Sequence, residues 1–151
     1  MFHLSETSKE LISACIEVER FLSVKITRFE VDQFKAEADG YQVFSGRLNE
    51  QTLPIGMSPG KMMVASLGLC SAFHVTWYLK RQKIEVSSLQ IEVNAMNEKE
   101  PSRASAFTIV VKVGAKLNQK HVDALLTEVK RCYVSNNMRG DPRFIYEIKT
   151  T

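Results

Sequence analysis

The sequence lacks a long apolar leader, a paired-cysteine motif and a dense basic run, and it has little glycine or proline. Glu6, Lys9, Glu10, Glu17, Glu19 and Arg20 interrupt the first turns of the chain, which excludes the apolar core of a signal peptide there. The three cysteines show neither CxxC nor zinc-ligand spacing. That odd count fits a reducing, cytoplasmic compartment better than a disulfide-stapled secreted fold, and neither a metal site nor a bound cofactor is expected. Seven glycines and four prolines in 151 residues leave no room for long disordered tracts. The net charge of +3 is spread along the chain without interleaved aromatics, so nucleic acid is not an expected partner.

What is present is an ordinary globular composition, 44% hydrophobic and 25% charged, in a length that suits a single domain over residues 1–151. One segment, Met62 to Leu79, carries no formal charge. Its length allows a membrane span or a helix buried on all sides. Ser66, Gly68, Ser71, His74 and Thr76 inside it, and amphipathic strands elsewhere that need an apolar cover, favour the buried helix, so no membrane is expected.

Thr7 and Glu10 form a capping box for an N-terminal helix over residues 1–23, with Cys15 read as core packing on its apolar face. Alternation from Val24 to Ala38, the Asp39-Gly40 turn and Tyr41 to Ser45 predict a hairpin. Ser58-Pro59 supplies an N-cap and first-turn proline for the central helix, which should end near Arg81 to Lys83. Leu89, Ile91, Val93 and Phe107, Ile109, Val111, Val113 alternate on either side of a polar turn, a second hairpin. Asn118 caps a helix whose apolar stripe is Val122, Leu125, Leu126, Val129 and Cys132, ended by Asn136, Asn137 and Gly140. Alternating Phe144, Tyr146 and Ile148 predict a last strand. The expected class is α+β.

On a helical projection, Ala65, Gly68, Ala72 and Thr76 form a small face of the central helix, and Met63, Ser66, Cys70, Phe73, His74 and Trp77 a bulky one. The small face would admit a second helix closely, which predicts a homodimer. The bulky face could line an apolar substrate pocket, with Met63, Phe73, His74 and Trp77 around Cys70, or could be core filling. Cys132, on the apolar face of another helix, could meet Cys70 if their Cα atoms come within about 7 Å. His74, one turn beyond Cys70, could be a hydrogen-bonded structural histidine or could contact the thiol.

The stretch Ser58-Pro59-Gly60-Lys61-Met62-Met63-Val64-Ala65-Ser66-Leu67-Gly68-Leu69-Cys70-Ser71 resembles the central-helix signature of the OsmC/Ohr family, and Cys132-Tyr133-Val134-Ser135 resembles its second-cysteine motif. The resemblance implies an OsmC-like fold, an intertwined homodimer in which β-hairpins wrap long central helices, here with an additional N-terminal helix. It implies thiol-dependent reduction of organic hydroperoxides, with Cys70 peroxidatic, Cys132 resolving, Arg47 favouring the thiolate, and a small-molecule or protein dithiol as reductant. The sequence departs from the family at Gly60 and Lys61, where members carry a glutamate that holds the arginine, and at Tyr133, where they carry proline. Glu50 is the nearest carboxylate in sequence. Because of that departure, a noncatalytic OsmC-like module that binds an apolar ligand or senses oxidants is the alternative expectation.

Overall fold

The computed structural model describes residues 22–150. The helix expected over residues 1–23, with Cys15, lies outside them except for Leu22 and Ser23, which are neither helix nor strand. The chain divides into two compact units at the Met57–Ser58 junction.

The first unit is an antiparallel sheet of β1 (Lys25–Glu30), β2 (Gln33–Ala38) and β3 (Tyr41–Gly46) in that order. The expected single hairpin is therefore a three-stranded meander. Alternation missed the extra turn because Glu30 pairs with Gln33 across only Val31 and Asp32, and Phe29, Val31 and Phe34 continue an apolar rhythm through the tip. Asp39 and Gly40 take positive φ, 51° and 81°, in the second turn, as a two-residue hairpin of right-handed twist requires. Gly46 has φ 106°, and a Cβ there would lie 1.9 Å from the Asp32 carbonyl oxygen, so only glycine closes β3 against the first turn.

The second unit holds α1 (Pro59–Arg81), the hairpin of β4 (Leu89–Lys99) and β5 (Ser102–Val113), α2 (Gln119–Lys130) and α3 (Tyr133–Arg139). The Ser58 hydroxyl accepts the Lys61 N–H, Pro59 fills the first turn where no N–H is needed, and α1 stops at Gln82. By length and composition α1 is apolar enough to cross a bilayer. One face, Leu67, Ser71, Val75, Tyr78 and Leu79, is nevertheless buried in this unit. Val75, Tyr78, Leu79 and Leu125 form its core, with Leu89, Ile91, Val111 and Val129 packed around them. Each such buried side chain stabilises the fold by about 1.5–3 kcal/mol. Neither face separated in the sequence is the buried one: the buried stripe runs between them.

Two expectations fail in this unit. The helix after Asn118 does not run on to Asn136; it stops at Arg131, and Cys132, with φ −53° and ψ 124°, starts α3 as its N-cap. The apolar stripe continues through the cap, so periodicity alone does not register the break. The strand expected around Phe144 to Ile148 is also missing: residues 141–150 carry no helix or strand. A strand requires a paired edge for its N–H and C=O groups, and among the described residues none of the five strands pairs with this segment.

Candidate functional site

The helix α1 packs against β4, α2 and α3, and this brings its middle toward the α2–α3 junction. Cys70 is half-buried there, and Cys132 is fully buried. The break between α2 and α3 turns the Cys132 sulfur onto the new helix, where it accepts the Ser135 N–H at 3.4 Å. Burial pushes the Cys132 thiol above its ordinary pKa. The neighbouring Cys70 pushes the same way, and the Ser135 N–H pulls partly back. Burial and the neighbouring Cys70 thus both disfavour the Cys132 thiolate. The two thiols differ in access: one is partly open, the other is sealed.

A second set of groups lies beside this pair. Glu128, on the last turn of α2, is buried at 6% exposure. Its Oε1 accepts Arg81 Nη2 at 2.9 Å and lies 3.7 Å from Arg131 Nη1, while Oε2 lies 3.9 Å from His74 Nδ1. A carboxylate at a helix C-terminus opposes the helix dipole, and burial adds a desolvation cost, so its cationic partners are what make the position tenable. The Arg81 guanidinium in turn lies 5.1 Å from the Trp77 ring centroid and 5.7 Å from that of Tyr78. His74 Nδ1 is buried without a hydrogen-bond partner. Tyr78 and His121 Nδ1 make a separate, half-buried contact of 2.8 Å.

The remaining residues singled out in the sequence are placed differently. Met63, Phe73 and Trp77 are 39%, 63% and 42% exposed, on the side of α1 away from its buried stripe. Arg47 is exposed in the first unit, just past β3, with its N–H donating to the Asp32 carbonyl at 3.2 Å. Glu50 follows it in the same unit, and the first turn of α1 contains no acidic residue. The second unit thus gathers Cys70, Cys132 and His74, and it adds Glu128 and Arg81, which sequence reasoning passed over. A signal for Glu128 was available. It stands three residues after Leu125 and four before Cys132, so it is a charge on the apolar stripe of α2, where a solvated residue has no place.

A family model for OsmC-like protein matches residues 49–147. No curated protein matches the sequence. Among solved structures, an OsmC-like protein from Mycoplasma pneumoniae superposes with TM-score 0.67 at 15% identity over 82% of this chain and 90% of that one. An organic hydroperoxide resistance protein OsmC from Legionella pneumophila gives 0.52 at 18% identity over 81% and 93%. The organic hydroperoxide resistance protein OhrB of Bacillus subtilis gives 0.52 at 19% identity over 80% and 93%. At such identities the superpositions speak for the fold, and the match over residues 49–147 speaks for the family: the chain is a member of the OsmC-like proteins.

Proposed function

We propose that the protein is a thiol-dependent peroxidase for organic hydroperoxides. The observation that carries this reading is the pairing of a half-buried Cys70 on α1 with a neighbouring, buried Cys132 at the start of α3, whose pKa burial and Cys70 together raise. The Cys70 thiolate attacks the outer peroxide oxygen, an S–O bond forms as the O–O bond breaks, and the alcohol leaves with a proton. The sulfenic acid on Cys70 then meets the Cys132 thiol, which gives a disulfide and water. An external dithiol, a small molecule or a protein, reduces the disulfide by exchange. Arg47 is the proposed charge that favours the thiolate and positions the peroxide. The working form is a cytoplasmic homodimer.

A second reading rests on the first turn of α1, where Gly60 and Lys61 leave no acid to hold an arginine. In it the same fold binds an apolar ligand or senses oxidants without turnover. Brief treatment of the reduced protein with stoichiometric cumene hydroperoxide, followed by mass spectrometry, separates the two. Rapid formation of a Cys70–Cys132 disulfide, faster than with hydrogen peroxide, supports the peroxidase. Unmodified thiols sink it and leave the binding module.

A further inference from the structure

The two thiols are one step of a ladder between α1 and the end of α2. Cys70 and His74 stand one turn apart on α1, and Glu128 on the last turn of α2 is followed four residues on by Cys132 at the N-cap of α3, so the His74–Glu128 contact is the next step beside Cys70–Cys132. Side chains one helical turn apart are neighbours, about 5–6 Å between Cβ atoms. Glu128 divides its oxygens: Arg81 and Arg131 share Oε1, and Oε2 faces His74 Nδ1 at 3.9 Å, too long for a hydrogen bond. That nitrogen is buried and otherwise unpartnered. Nδ1 of this imidazole faces the carboxylate, and Cys70 is its neighbour one turn back along α1.

We propose that His74 handles the proton of Cys70, with Glu128 as the positioning residue that stabilises the imidazolium. His74 Nε2 takes the thiol proton and leaves the Cys70 thiolate. When the O–O bond of a hydroperoxide breaks, the imidazolium returns that proton to the departing alkoxide, so sulfur is oxidised to the sulfenic acid, the peroxide is reduced to the alcohol, and His74 is neutral again. The pair does from the middle of α1 and the end of α2 what the absent carboxylate at the start of α1 does not. The ionisable groups around it are Cys70, Tyr78 and Arg81 on the helix of His74, and Arg131 and Cys132 beside Glu128. The substrate step rests on the peroxidase reading; the proton transfer between His74 and Cys70 does not.

The test is the rate of Cys70 alkylation by iodoacetamide in the reduced protein, followed across pH with the site located by mass spectrometry. For His74→Gln and His74→Asn the expected result is loss of the histidine step, with alkylation near pH 6 slower by about tenfold, the equivalent of one pKa unit. Glu128→Gln moves the step the same way by less. His121→Gln, which alters the histidine bonded to Tyr78, leaves the profile unchanged. Wild-type profiles in both His74 variants, or an equal shift in His121→Gln, would overturn the proposal. Sulfenic acid formation with cumene hydroperoxide is the second arm, expected to slow about 100-fold in His74→Gln. If the wild-type protein consumes no peroxide but the alkylation profiles shift as stated, the peroxidase reading falls and the proton pair stands. If peroxide is consumed while the profiles stay put, the proton pair falls and the peroxidase stands.

Discussion

The two halves of α1 are built differently. Its start, from Pro59 to Met63, is mostly exposed and carries Lys61 where the helix dipole favours an acid. Its second half buries Val75, Tyr78 and Leu79 and fastens Arg81 and His74 to a buried carboxylate from α2. The charge missing at one end thus has a counterpart at the other, on a different element. Within a family fold, then, a site is better sought by following buried charge than by reading the family's usual positions.

The largest effect should come from the core that fixes the packed half. Leu125→Ala removes a side chain at 6% exposure from the cluster with Val75 and Tyr78 and should cost about 2–5 kcal/mol in urea unfolding. Met63→Ala, at 39% exposure near the helix start, should fall within about 0.5 kcal/mol of wild type. Equal losses would erase the contrast between the halves.

Glu128→Gln tests the ionic fastening. Removing one partner of a fully buried pair costs about 3–5 kcal/mol. Arg81 and Arg131 are 46% and 67% exposed in their side chains, so solvent screens them and the loss should be smaller, about 1–2 kcal/mol. A high-salt titration sharpens the point: a screened contact weakens with salt, and a sealed one does not.

Much of the scaffold was legible because it follows from periodicity and caps. Ser58-Pro59 and Asn118 begin α1 and α2 where the residues say they should, and β4 and β5 pair as the expected hairpin, with Val93 opposite Ile109. Three features were not legible, each for a physical reason. An apolar residue at a turn tip, Val31, keeps the alternation unbroken while the chain reverses. Cys132 continues the stripe of α2 while its backbone leaves the helix, because burial follows the side chain and capping follows φ and ψ. Phe144 to Ile148 alternate like a strand, but pairing depends on a neighbouring edge, which sequence does not specify. As for the site, both cysteines and His74 were named from sequence, and Glu128 was not, since charge on a helix is ordinarily solvated.

The Cys132 thiol gives a smaller, pH-dependent effect. Its pKa is raised in the folded state, chiefly by burial. Below the usual thiol pKa of about 8.5 both folded and unfolded chains hold the proton, and the full stability is present. Above it the unfolded chain loses the proton first. Unfolding is then favoured by up to about 1.4 kcal/mol per pH unit until the folded thiol titrates too. The difference between wild type and Cys132→Ser in unfolding free energy should therefore narrow as pH rises through the alkaline range. A difference that stays flat would mean that Cys132 is not the sealed, proton-holding thiol of the pair.

Lys61→Glu is the smallest change and bears most directly on the two halves. It puts an acid in the first turn of α1, where the dipole should reward it with about 0.3–1 kcal/mol of stability. Its effect on the thiol discriminates two ways of making a thiolate. If an arginine near the helix start is the charge that Cys70 lacks, the new carboxylate can hold it, and Cys70 should react faster with cumene hydroperoxide in Lys61→Glu than in wild type. If His74 and Glu128 already supply what Cys70 requires, the rate stays at the wild-type value although the helix is more stable. The measurement is a stopped-flow oxidation rate beside an unfolding curve for the same variant. Its meaning lies in whether the two move together, because a gain in stability without a gain in rate leaves the chemistry with the packed half of the helix.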